Sequence, residues 1–137
     1  MGAGNQVAVW VAAVAHFIIG ACWYTVLGPA WIAAVGKTEA QIKAEQPNMA
    51  IPLIVAAAVA VIIAYTLAWL LPKLGAQSAA AGAKTGAVLA LALIATTLAM
   101  NYGFEARSIT LWLINSGYMV VGMAVMGAII GGWKKKV

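Results

Sequence analysis

Charge is what this sequence has least of. Asp, Glu, Lys and Arg make up 8% of its 137 residues, where soluble domains carry roughly 25%. The eight basic and three acidic residues fall in short gaps, and Met1–Gly36, Gln46–Pro72, Thr85–Phe104 and Ser108–Trp133 hold none. A surface so poor in charge cannot be wetted as a soluble domain's must be. A helix needs about 20 apolar residues to cross a bilayer core of roughly 30 Å, and each uncharged run is at least that long. The chain therefore reads as four membrane spans.

Other scarcities exclude further classes. The single Cys22 rules out an intrachain disulfide. It follows Ile19-Gly20-Ala21, the form of a lipoprotein attachment box, but no Lys or Arg precedes residue 37 as such a signal requires. Cys22 is read instead as a small apolar packing residue. The acids are Glu39, Glu45 and Glu105, all between runs, so there is no Ser/His/Asp set, no His-Glu-x-x-His and no paired carboxylate. No catalytic residue can be named. The only histidine is His16, Cys22 projects about 120° away from it on a helix, and no carboxylate lies in a span, so neither a metal nor a cofactor is expected. The net charge of +5 comes without a basic patch interleaved with aromatics, which excludes nucleic acid.

What is present is apolar: 65% hydrophobic residues and a mean hydropathy of +0.98. The spans are expected at about 5–27, 50–71, 82–102 and 109–132. Gly28-Pro29 should stop the first. Pro52 is tolerated in the first turn of the second and Pro72 ends it. The short link between the last two forces an antiparallel hairpin. Between the first two spans, Trp31, Ile32 and Val35 recur at helical spacing, as in a short interfacial helix. Thr38-Glu39-Ala40-Gln41 fits a capping box opening a helix from Glu39 to about Glu45, with Glu39 and Lys43 placed for an ion pair. The expected fold is all-α: one transmembrane domain, a four-helix bundle with a short amphipathic segment between helices 1 and 2.

An even number of spans puts both termini on one side. That side carries Lys73, Lys84 and Lys134-Lys135-Lys136, while the other carries Lys37, Lys43 and Arg107 against three Glu. The excess of Lys and Arg predicts cytoplasmic termini in an inner membrane. The Lys134-Lys135-Lys136 tail after Trp133 is a topology anchor that also attracts anionic headgroups.

Polar residues inside the spans mark the one candidate site. Ala8, Ala12, His16 and Gly20 share a helix face, and small residues on a membrane helix mark contact with another helix. His16 therefore faces protein, about 16 Å from the outer end of its span. On the third span Gly82, Gly86, Ala90, Thr97 and Asn101 form a similar stripe. On the fourth, Asn115, Tyr118 and Gly122 lie together, with Gly127 and Gly131 beyond. Similar depths let His16, Thr97, Asn115 and Tyr118 meet, with Asn101 nearby. Trp23, Trp31, Glu105 and Arg107 belong to the mouth of the bundle. The glycine faces of helices 3 and 4 offer surface for self-association.

Trp23-Tyr24, Gly28-Pro29-Ala30-Trp31 and Gly36-Lys37-Thr38-Glu39, together with Asn115-Ser116-Gly117-Tyr118, Gly127 and a closing Trp133 with lysines, resemble an uncharacterised and mostly bacterial membrane-protein family, domain of unknown function 1761. The resemblance implies a small multi-span membrane protein and carries over no catalytic or ligand residue. The leading expectation is thus a non-enzymatic inner-membrane protein forming a homo-oligomer, with the lipid bilayer as its surroundings and no small-molecule ligand identified. The alternatives are a small-solute or proton-coupled transporter using His16, and a lipid- or partner-binding accessory subunit.

Overall fold

A computed structural model describes residues 6–133; Asn5, in the first expected span, and the Lys134-Lys135-Lys136 tail lie outside the described residues. The helices are α1 (Gln6–Val26), α2 (Gly28–Val35), α3 (Glu39–Glu45), α4 (Ala50–Lys73), α5 (Ala79–Phe104) and α6 (Ile109–Gly132). The four long ones, α1, α4, α5 and α6, are long and apolar enough to cross a membrane. The architecture is the expected all-α bundle with a helical segment between the first two spans.

Local chemistry explains most boundaries. Gly28-Pro29 does not simply stop α1: one residue, Leu27, separates α1 from α2, and Pro29 stands in the first turn of α2. Leu27 N–H donates to Trp23 and its carbonyl accepts from Trp31, so hydrogen bonding runs through the corner. Gly36 ends α2 at φ +77°, a conformation that favours glycine. The Thr38/Gln41 capping box opens α3 as expected, with bonds of 3.1 and 2.8 Å. Glu39 pairs with Lys43 at 3.3 Å, and Lys37 with Glu45 at 2.5 Å.

Two boundaries differ from expectation. Pro72 lies inside the last turn of α4. A proline this near a helix end forfeits one hydrogen bond without breaking the segment. α5 starts at Ala79 because the Ser78 hydroxyl accepts the Ala81 N–H at 3.1 Å. At the hairpin, Ser108 caps α6 through the Leu111 N–H at 3.0 Å and donates to the Ala34 carbonyl at 3.3 Å, tying the hairpin to α2.

One irregularity has no precedent in the sequence pattern. α5 widens into a π-helical turn over Ala90–Ala95. Such a turn disturbs the regular i→i−4 pairing, and within a bilayer no water can take up a freed carbonyl. Three side chains donate to carbonyls of this turn. The Trp112 indole donates to Ala95 O at 2.8 Å, Thr96 to Ala92 O at 2.7 Å and Thr97 to Leu93 O at 2.5 Å.

The core is built from small residues. α5 and α6 meet backbone to backbone: a Cβ at Gly82 would strike the Gly127 carbonyl, one at Gly127 the Gly82 carbonyl, and one at Gly86 the Met123 carbonyl. The glycine faces to which the sequence assigns self-association are therefore spent within the chain, and using them between chains requires opening this pair. Val9, Ala12 and Ala13 of α1 are buried in one cluster with Ala60, Ala64, Leu67 and Leu71 of α4. The first ten residues of α4, by contrast, bury nothing; Ile54 is 68% exposed where Leu67 is 1%. α1 and α4 thus close at the terminal end and part toward α2 and α3. Cys22, expected to pack, is exposed.

The backbone contact makes an opposed pair of expectations. Gly82→Ala forces α5 and α6 apart and should cost about 1–3 kcal/mol, as overpacking does. Gly103→Ala, with open space beside it, should stabilise by roughly 0.5–1 kcal/mol through helix propensity. Thermal unfolding in detergent measures both, and equal shifts would refute the close contact.

Candidate functional site

Three glycines let α1 and α6 exchange aromatic rings. His16, 2% exposed, lies against Gly122, where a methyl would overlap the imidazole. Its ring stacks on Tyr118 at 4.8 Å with 22° between planes. Gly20 leaves room for the Tyr118 hydroxyl, which donates to the His16 carbonyl at 3.2 Å. Gly117 seats the Trp23 ring, whose indole N–H donates to Ile114 O at 2.9 Å. The stacked pair contributes about 0.5–1.5 kcal/mol beyond its buried area. Buried His16 Nδ1 has no hydrogen-bond partner, and the same holds for Ser116 Oγ. His16 is a packed residue between two helices.

A second polar group forms toward α2 and α3. Tyr24 donates to Asn115 Oδ1 at 2.7 Å, and Asn115 Nδ2 donates to the Tyr102 hydroxyl at 2.8 Å. The relay joins α1, α6 and α5. Tyr24 meets Tyr118 edge-on at 5.5 Å and Trp31 at 6.5 Å, so the two polar groups are continuous. The Arg107 guanidinium lies over Tyr102 at 5.6 Å and pairs with Glu105 at 3.1 Å.

The relay forms part of the wall of a cavity of about 1060 Å³ between the end of α1, α2, α3 and the start of α4. Tyr24 and Asn115 supply the polar spot; Trp31, Ile32, Ile42 and Met49 supply apolar wall; Glu39 and Lys43 also line it. The volume lies at the upper end of the roughly 300–1,000 Å³ common for ligand sites. Each polar member keeps unspent capacity. Asn115 has a second amide hydrogen, and the Tyr24 oxygen, having donated, can still accept.

Among the residues picked from the sequence, His16 meets Tyr118 directly, Asn115 is linked to Tyr118 through Tyr24, Trp23 lies against Gly117, and Trp31 lies against Tyr24. Glu105 and Arg107 pair at the hairpin. Thr97 and Asn101 do not reach the cluster: both are exposed, and Thr97 is tied back to Leu93. The cause is the π-helical turn. Residues facing the core on α5 run Gly82, Gly86, Ala90, then Ala95, Leu98 and Tyr102, with one five-residue step where the regular stripe has four. The extra residue rotates Thr97 and Asn101 outward and brings Tyr102 inward. Tyr24 and Tyr102 are the partners that sequence reasoning missed. Tyr24 was visible in the Trp23-Tyr24 pair; Tyr102 had no signal under a 3.6-residue period. No group of three or more potential metal ligands occurs among the described residues.

The relay's strength can be measured directly. A double-mutant cycle of Tyr24→Phe and Asn115→Leu, read by unfolding in detergent, should give a coupling near 0.6 kcal/mol and no more than about 1.7, the span for hydrogen bonds between membrane helices. A coupling of zero would mean that the two side chains do not interact.

No curated protein and no solved structure matches the chain. The family model described as protein of unknown function (DUF1761) matches residues 7–131, nearly the whole bundle from α1 through α6. The chain belongs to that family.

Proposed function

We propose that this is a non-enzymatic protein of a bacterial inner membrane that binds an amphipathic small molecule at its α2–α3 end. The observation that carries the reading is the cavity in which Tyr24 and Asn115 present unspent hydrogen-bonding capacity within an apolar wall. Few, well-placed polar groups in an apolar hollow suit a ligand that is mostly hydrocarbon with one polar part. Binding without turnover fits the acids, since Glu39, Glu45 and Glu105 are each paired with Lys or Arg and exposed. The transport reading built on His16 has less support. His16 is sealed between Tyr118 and Gly122 and does not line this cavity. The site is complete within one chain, so a homo-oligomer would repeat it without being needed to build it.

We place both termini in the cytoplasm, supported by Lys73, Lys84 and the three tail lysines against the acid-balanced opposite side. The cavity then opens at the outer leaflet. A reporter fused at Val137 should be active only in its cytoplasmic form; activity of an externally active reporter there reverses the orientation.

Gly28 lines the cavity and has open space where a side chain would project. Gly28→Phe should therefore fill the hollow without disturbing the bundle. Native mass spectrometry of the wild-type protein released from lipid nanodiscs should show a retained small molecule, which Gly28→Phe loses while its unfolding temperature stays unchanged. An equal retained mass on both proteins, or none on either, would sink the proposal. The same spectra count the chains per particle.

A further inference from the structure

The cavity is not the only hollow along the α1–α4 seam. Nearer the middle of the bundle a crevice of about 220 Å³ lies between Trp10, Val14 and Phe17 of α1 and Ala57 and Val61 of α4. Phe17 and Tyr24 are seven residues apart and share a face of α1. The two hollows lie one after the other along α1 and α4, sharing no lining residue, and α4 is exposed between them from Leu53 to Ala56. From Tyr24 to Trp10 the distance along α1 is about 21 Å at 1.5 Å per residue, and half of a bilayer's hydrocarbon is roughly 15 Å. The seam is long enough for an acyl chain of one leaflet, and the crevice wall is apolar.

Charge narrows the headgroup. Lys37, Glu39, Lys43 and Glu45 stand at this end as two opposed pairs, Lys37 with Glu45 and Lys43 with Glu39. Their charges cancel, and the Glu39–Lys43 pair lines the cavity itself. A headgroup with both signs finds a partner for each; an anionic one meets Glu39 without compensation.

Resting on the proposed binding site, we propose that its occupant is a membrane lipid with a zwitterionic headgroup. Its headgroup lies between Glu39 and Lys43, its polar linkage faces Tyr24 and Asn115, and an acyl chain runs down the α1–α4 seam past Phe17. The lipid reaches the site sideways from the leaflet, through the gap beside the start of α4.

The test uses the full chain in detergent, offered equal amounts of phosphatidylethanolamine and phosphatidylglycerol with identical acyl chains, and separately phosphoethanolamine without chains. Native mass spectrometry should show one phosphatidylethanolamine per chain, retained roughly two- to fivefold over phosphatidylglycerol, as an exposed ion pair allows, and no retained phosphoethanolamine. Ala57→Trp, at an exposed position on the crevice, should abolish lipid retention without lowering the unfolding temperature. Glu39→Gln leaves Lys43 uncompensated and should raise phosphatidylglycerol relative to phosphatidylethanolamine. Retention that survives Ala57→Trp, equal retention of the two lipids, or retention of chain-free phosphoethanolamine each overturns the inference. Those results leave the binding site itself standing provided Gly28→Phe still removes the retained mass; a Gly28→Phe protein that keeps it defeats the site and the inference together.

Discussion

The Gly127 carbonyl fills the space that a side chain would take at Gly82, and the Gly82 carbonyl does the same at Gly127. In lipid there is no water to drive helices together, so their association depends on dispersion at close range and on interhelical hydrogen bonds. This contact brings α5 and α6 backbone to backbone, and α6 then serves as the post for the rest. Its other glycines, Gly117 and Gly122, face α1 and receive Trp23 and His16. α6 therefore has two glycine faces with opposite uses, one admitting a backbone and the other admitting rings. That division explains why a residue as costly as histidine sits mid-span. Seated on Gly122 and stacked on Tyr118, it fixes the register of α1 against α6.

The polar relay depends on the same pair of helices in a less direct way. A regular α5 would present Asn101 and Thr97 toward α6. The π-helical turn inserts one residue before Ala95, and Tyr102 arrives beside Asn115 instead. In a bilayer any carbonyl such an insertion frees must find a donor within the protein, and Trp112, Thr96 and Thr97 donate to the Ala95, Ala92 and Leu93 carbonyls.

How much was legible follows from how local each determinant is. The charge-free runs gave the spans, and the Thr38/Gln41 box gave α3 with both ends, because these signals lie within a few residues of what they determine. His16, Tyr118 and Asn115 could be grouped because depth along a straight helix is simple arithmetic. Tyr102 could not, since no residue in Ala90–Ala95 announces a wider turn; alanine and leucine serve equally in either helix. The glycine stripes were legible as contact faces but not as to partner. A G-x-x-x-G says that something comes close, and only the packed chain identifies that partner as α6 within the same chain.

The seam between α1 and α4 alternates small residues that let the helices touch with rings that leave hollows beside them. At the terminal end Ala12 and Ala13 meet Ala60 and Ala64, and small residues let the helices touch. Trp10 and Phe17 flank these alanines at the crevice, and farther along Tyr24 of α1 and Trp31 of α2 line the cavity with α3 and the start of α4. An apolar hollow offers water too few hydrogen-bonding partners to hold it, whereas lipid hydrocarbon is in contact with it on the open side. If hydrocarbon occupies such a seam, as the proposed site requires, apolar area alone confers no selectivity there. Selectivity has to come from the few groups that hydrocarbon cannot satisfy: the Asn115 amide, the Tyr24 oxygen and the Glu39–Lys43 pair. On the proposed reading the bundle serves to hold those groups where a lipid's polar part would lie, and the contacts that position them are the ring-on-glycine packing of α1 on α6 and the register shift in α5.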